Sequence, residues 1–204
     1  SKTDSETIVH LYEEEGVEGF RRLDGMFALA IWDARTQSLV LCRDRIGIKP
    51  LVYGRFGSSF LFASEIKSIL QDDGIKRGID WSSLELYLTF NYIPAPYTIF
   101  RGIYKLKPGH FLVFRNGEIT EKPYWNLTKD GSDAFRGDFE DAKKALFNTL
   151  EGAVVSHMIS DVPLGAFLSG GIDSSIVTAL MARNSGSPAK TFTIGFADMP
   201  LFDE

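Results

Sequence analysis

The run Leu168-Ser169-Gly170-Gly171-Ile172-Asp173-Ser174-Ser175 constrains the fold of this chain more than any other stretch. An apolar segment, residues 162–168, leads into it. Ile176-Val177-Thr178-Ala179-Leu180-Met181 leaves it with a helical apolar pattern. The order is therefore strand, turn, helix. Two adjacent glycines let the backbone approach a ligand with no Cβ in the way. The first amides of the helix lack internal partners and sit at the positive end of its dipole. Ser169, Ser174 and Ser175 add hydroxyls, and Asp173 supplies a hard oxygen suited to Mg²⁺. Such a turn suits phosphate. The competing reading is a plain connection in which Asp173 or Ser174 caps the helix. The Gly-Gly pair alone does not separate the two, but three hydroxyls and a carboxylate in one turn weigh for phosphate. A Walker-type loop is excluded, because that pattern needs a lysine and none lies in the turn.

The stretch Ser169-Gly170-Gly171-Ile172-Asp173-Ser174-Ser175 resembles the pyrophosphate loop of the N-type ATP pyrophosphatases. With the preceding Ser160-Asp161-Val162-Pro163-Leu164-Gly165-Ala166-Phe167-Leu168, it resembles the glutamine-hydrolysing asparagine synthetases. The amino-terminal part carries the same resemblance. Leu23-Asp24-Gly25-Met26-Phe27-Ala28-Leu29-Ala30-Ile31-Trp32-Asp33, Cys42-Arg43-Asp44-Arg45-Ile46-Gly47-Ile48-Lys49-Pro50 and Phe62-Ala63-Ser64-Glu65 look like the later part of a class II, Ntn-type glutaminase domain. The block from Asn91-Tyr92-Ile93-Pro94 to Lys107-Pro108-Gly109-His110 is similar to that family too.

The resemblance implies an ATP-dependent ligase. A glutaminase site releases ammonia, Mg-ATP activates the aspartate side chain as a β-aspartyl-adenylate, and ammonia displaces AMP to give asparagine. It implies that Ser169, Gly170, Gly171, Ser174 and Ser175 hold the pyrophosphate and that Asp173 holds Mg²⁺. Phe167, Leu168 and Ile194 would meet the nucleotide, and Asp4 would grip the α-amino group of glutamine. As bare sequence, Phe167 and Ile194 are core residues and Asp4 is a helix-start carboxylate. The amino-terminal cysteine nucleophile of the family has no counterpart, and Cys42 reads as plain core. No catalytic residue is therefore assigned in the glutaminase part. The chain reads as truncated at both ends, and glutamine hydrolysis by this segment is not expected. The alternatives are a related adenylating enzyme, such as a β-lactam-synthetase-like relative, and a non-catalytic truncated product.

Composition fits a soluble, cytoplasmic enzyme. No apolar run approaches the roughly 20 residues that span a bilayer. A net charge of −5 gives no basic footprint for nucleic acid. One cysteine forms no internal disulfide, and three isolated histidines offer no zinc spacing. The partners expected are the small molecules aspartate, glutamine and ATP, with homodimerisation open.

Along the chain, Thr3 and Glu6 are spaced as a capping box for a helix with Ile8, Val9, Leu11 and Tyr12 on its buried face and Gly16 at its end. Residues 26–32 read as a strand covered on both faces. Strands follow at 39–43, 51–53 and 60–62, then a helix from Ser64 to about Leu70 and another from Asp80. Asn116-Gly117 between 111–114 and 118–120 marks a hairpin. Arg43 and Asp44 read either as contributors to the glutaminase site or domain interface or, the favoured reading, as an ion pair ordering the loop through Gly47 and Pro50; Glu65 reads as a residue near the ammonia path that the resemblance implies or only as a first-turn helix acid, and Lys105 and Lys107 read as solvated. An amphipathic helix spans about 139–160, with Ala142, Ala145, Leu146, Leu150, Val154 and Met158 on one side. The phosphate turn's helix runs to about Asn184, and a second strand covers 191–196. The expected organisation is an α+β Ntn-hydrolase-like antiparallel domain over 1–125, a polar linker over 126–138, and the start of an α/β parallel-sheet pyrophosphatase domain over 139–204.

Overall fold

The centre of the first unit is the strand expected around residues 39–43. In the computed structural model, which describes residues 3–127 and 135–195, it is β2, Ser38–Arg43. Contacts divide the chain into Ser1–Lys129 and Asp130–Glu204. In the first unit, α1 (Asp4–Glu15) and a 3-10 helix (Gly16–Arg22) precede β1 (Ala28–Asp33) and β2. Then come β3 (Val52–Phe56), β4 (Ser59–Ala63), α2 (Ile66–Ile69) and α3 (Trp81–Phe90). β5 (Ile103–Lys105), β6 (His110–Arg115) and β7 (Glu118–Pro123) complete it.

These strands form two antiparallel sheets, ordered β1-β2-β6-β7 and β4-β3-β5. Alternation along β2 explains how they pack. Val40 and Cys42 point to one face and join Phe20, Phe111 and Tyr124. Leu41 points to the other and joins Leu51, Tyr53, Leu106 and Leu112. The register Cys42↔Phe111 and Leu41↔Leu112 puts matching apolar pairs on each face. Phe60 of β4 stacks on Phe114 of β6 with centroids 4.5 Å apart, joining the two sheets.

β1 differs from the expectation of a doubly covered strand. It is an edge strand, and no residue of it is fully buried. Leu29 and Ile31 pack on the Phe20 cluster, whereas Trp32 remains 58% exposed. A continuous apolar run shows that both faces are apolar, not that each has a cover within the same unit. In α1, Val9 is likewise exposed, and Thr3 occupies the N-cap without a side-chain cap bond. Gly16 ends that helix at φ +62°. Glu65, not Ser64, is the N-cap of α2, which is a single turn. The Asn116-Gly117 hairpin forms with φ of 52° and 80°, the left-handed pair that such a two-residue turn requires.

The second unit contains α4 (Phe139–His157), β8 (Gly165–Phe167), α5 (Ile172–Asn184) and β9 (Lys190–Phe192). Asp138 caps α4, its carboxylate accepting from the Asp141 amide at 2.9 Å. Along the expected apolar side of α4, Leu150, Val154 and Met158 are half-buried, but Leu146 is exposed. β8 and β9 pair in parallel, Gly165↔Lys190 to Phe167↔Phe192, as the strand–helix–strand pattern requires. Both strands are shorter than expected. Ser160 makes a local turn with Val162, and Pro163 has no amide to donate, so regular pairing starts only at Gly165. The far end of the expected 191–196 strand, and residues 128–134 of the expected linker, lie outside the described residues.

Candidate phosphate-binding turn and amino-acid groove

β8 and α5 position the serine-rich turn. The Leu168 amide donates to the Phe192 carbonyl at 2.9 Å, and the Thr193 hydroxyl donates to the Leu168 carbonyl at 2.8 Å. The end of β8 is thus fixed to the strand beside it. Thr193 was not singled out from sequence. The available signal was its place just beyond Phe192, the register partner of Phe167. Gly165 lets the strands approach closely: a Cβ there would lie 2.6 Å from the Phe192 ring and 3.2 Å from the Lys190 carbonyl oxygen, so the ring would have to shift.

Beyond Leu168 the backbone reverses at Gly170, whose φ of +81° favours glycine. Gly171 is the N-cap of α5, and no side chain caps that helix. The Ser174 hydroxyl donates to the Gly171 carbonyl at 3.1 Å and accepts from the Ser169 amide at 3.3 Å. It also lies 3.1 Å from the Ser169 hydroxyl. The Ser175 hydroxyl donates to the Gly171 carbonyl at 2.8 Å. All three serines therefore surround the first turn of α5, with Ser169 and Ser175 exposed. Asp173 is exposed in that same turn.

Asp173 and Ser174 border a cavity of about 560 Å³ whose other walls include Leu150 and Val154 of α4, Phe167 of β8, and Val177 and Met181 of α5. Phe167 and Ile194 are 75% and 72% exposed, which corrects the reading of both as core. Among the described residues no group of three His, Cys, Asp or Glu side chains is placed to hold a metal. The turn offers one carboxylate, which fits a Mg²⁺ that brings phosphate oxygens as its other ligands.

In the first unit, Asp4 lies in the first turn of α1 and lines a groove of about 540 Å³ with Ile8, Leu29, Lys49, Pro50 and Ser64. Its Oδ1 accepts from the Ser5 amide at 2.9 Å. Lys49, Pro50 and Ser64 come from distant parts of the sequence, so the groove could not be found from any local pattern. Cys42 is fully buried and does not line this groove, and burial pushes its thiol pKa up; that suits a core residue and not a nucleophile.

Arg43 and Asp44 do not pair with each other. Asp44 is 1% exposed, and its two oxygens accept from the Ile48 and Lys49 amides, each at 2.8 Å. Arg43 donates to the carbonyls of Lys49 (2.8 Å), Gly47 (2.7 Å) and Leu106 (2.8 Å). Backbone groups outcompete an ion pair because both ends of the loop need partners. Glu65 pairs with Lys67 at 2.6 Å. Neither Lys105 nor Lys107 is simply solvated. Lys105 donates to the Ile93 carbonyl, and its pKa is lowered by burial and then by Arg43; Lys107 pairs with Glu121 at 3.4 Å.

Two antiparallel sheets followed by a parallel strand–turn–helix–strand with an uncapped, hydroxyl-rich turn define a two-part α+β and α/β chain. Residues 1–125 match the glutamine amidotransferase domain family, and residues 145–204 match the asparagine synthase family. The chain belongs to the glutamine amidotransferase family, in the branch joined to asparagine synthase. It is 36% identical over 201 residues to asparagine synthetase (glutamine-hydrolysing) 3 of Bacillus subtilis, covering 96% of this chain and 32% of that protein. It is 36% identical to asparagine synthetase (glutamine-hydrolysing) 1 of the same organism, over 95% of this chain and 30% of that one. Amidase chry2 of Gibberella zeae is 35% identical, over 89% and 27% respectively. The chain thus spans about a third, or less, of the length of these relatives.

Proposed function

We propose that this chain carries parts of two sites of a glutamine-dependent ligase that converts aspartate to asparagine. The observation that carries the reading is the start of α5: a helix with no side-chain cap, ringed by Ser169, Ser174 and Ser175. Asp173 and Ser174 leave that end open, which argues against the plain helix-cap alternative. Gly171 adds a second reason. Its φ is −72°, and a Cβ there would meet only the Ser169 hydroxyl, at 3.5 Å. The chain's own packing does not demand glycine at 171, whereas a ligand approaching the backbone does.

In this reading Ser169, Gly170, Gly171, Ser174 and Ser175 bind the pyrophosphate of ATP through amides and hydroxyls. Phe167, Leu168 and Ile194 present backbone to the nucleotide. Asp173 would hold Mg²⁺, which supplies charge neutralisation to the phosphates. A carboxylate is a poor electrophile, and transfer of AMP from ATP gives the aspartate side chain a good leaving group. Pyrophosphate departs, ammonia then forms the amide bond, and AMP leaves. Asp4 takes the α-ammonium group of glutamine in the first unit. The substrates are small molecules, handled in the cytoplasm.

The test is ATP–pyrophosphate exchange in the intact protein, with aspartate present. Asp173→Ala should abolish exchange and leave glutamine hydrolysis intact. Normal exchange in that variant would reduce the turn to a connection. Likeness to a relative named an amidase, and not an asparagine synthetase, leaves room for a second reading, in which the same turn adenylates a different carboxylate. Exchange supported by another acid and not by aspartate would select it.

A further inference from the structure

We propose that Arg43 and Asp44 are positioning residues for the groove that Asp4 lines, holding its Lys49 and Pro50 wall in place for an amino-acid ligand. The inference rests on the reading that this groove receives glutamine. Lys49 is pinned on both sides of its backbone: Asp44 accepts from its amide at 2.8 Å, and Arg43 donates to its carbonyl at 2.8 Å. It is also one of the residues that line the groove. Asp44 is almost wholly buried and spends its second oxygen on the neighbouring Ile48 amide.

The local turn is already closed without these side chains, by the Gly47 amide donating to the Asp44 carbonyl at 3.1 Å. The side chains do something further. Arg43 ties the loop to the Leu106 carbonyl, and the Leu106 amide donates to the Leu51 carbonyl at 3.0 Å. The Tyr124 hydroxyl donates to the Arg43 carbonyl at 3.0 Å, anchoring the base of the device in the core. The groove wall is thereby fixed to two core clusters and not left as a free loop. Gly47 has no room for a side chain: at its φ of +73°, a Cβ would lie 2.9 Å from Pro108 Cγ and 3.0 Å from Arg43 Cζ.

The experiment uses the intact protein. Asp44→Asn exchanges one acceptor for a donor facing an amide. It should raise KM for glutamine about tenfold. The kcat for hydrolysis should stay within about twofold, and ammonia-supported amide formation should not change. Gly47→Ala, which pushes the loop without touching a carboxylate, should split KM from kcat in the same direction. In the unmodified protein, excess glutamine should slow hydrogen exchange at the Ile48 and Lys49 amides. That arm decides the matter should both variants fail to fold. Wild-type KM in either folded variant, or exchange at those amides that glutamine leaves unchanged, overturns the proposal. Asp4→Ala separates the two ideas. If it leaves KM for glutamine unaltered, the groove is not the glutamine site; if it raises KM while Asp44→Asn and Gly47→Ala do not, only the positioning role falls.

Discussion

Cys42 sits in the core between Val40, Phe111 and Tyr124, and desolvation holds its thiol well above the ordinary range. Asp44 adds to that rise, while the Arg43 amide and Tyr124 hydroxyl oppose it. The folded chain keeps this proton longer than the unfolded chain does. The associated stability is therefore fully present below about pH 8.5, the unfolded thiol value, and falls as pH rises. Tyr53 and Tyr124 are raised chiefly by burial as well and add the same sign from about pH 10. Urea midpoints should decline across that alkaline range, with a shallower decline in Cys42→Ala; a flat profile would contradict the assignment. Thiol reagents should label Cys42 only on unfolding. At the turn proposed to bind phosphate, Ser174→Ala should lower the exchange rate by less than Asp173→Ala, since neighbouring amides remain; one lost donor costs about 2.7–4 kcal/mol in the transition state. An exchange rate for Ser174→Ala as low as for Asp173→Ala would show that the hydroxyl, not the charge, dominates. The strand, turn and helix were legible in sequence because the turn's residues, from Ser169 to Ser175, are contiguous. The roles of Arg43 and Asp44 were legible only halfway: the loop they order was apparent, but not that each would choose backbone partners over the other.

Among the elements, α3 shows how much a cap carries. Its apolar residues are poorly covered in this unit, with Trp81 and Leu88 exposed, so packing contributes little to its start. Asp80 accepts from the Ser82 and Ser83 amides at 3.1 and 3.3 Å. Asp80→Ala should cost about 1 kcal/mol, read as a lower urea midpoint for the first unit. Asp80→Asn should retain most of it; equal losses in both would point to charge and not to the cap bond. Elements with their own stop signals were readable from sequence: α1 ending at Gly16, the Asn116-Gly117 hairpin, and α5 after its glycines. β1 and the face of α1 were misjudged because apolarity does not say what covers a surface. The groove of Asp4 was invisible because its walls come from α1, β1, Lys49, Pro50 and Ser64, which only the folded sheets bring together.

At the scale of the whole molecule, the two units differ in how much core each encloses. The first holds three buried clusters built on Phe20, Leu41 and Ile103. Among the described residues of the second, only Leu180 and Met181 are buried. Apolar burial stabilises by roughly 25 cal/mol per Å², so the second unit should be the less stable of the two. Unfolding of the 204-residue chain should then proceed in two steps, and a single two-state transition is not expected. The polar stretch 126–137, with Gly131, Ser132 and Gly137, links the match to the amidotransferase family with the α4 cap. Limited proteolysis should cut there first. It should leave a resistant fragment ending near Trp125, because Tyr124 and Trp125 are tied to the Gly109 carbonyl by amides at 2.9 and 3.1 Å. Peptides from 139–195 should be degraded soon after, since a unit that opens readily is cleaved from its open state. First cleavage inside β2 or β6, or one cooperative transition followed equally by Trp fluorescence and by helical circular dichroism, would show that the chain behaves as a single folding unit.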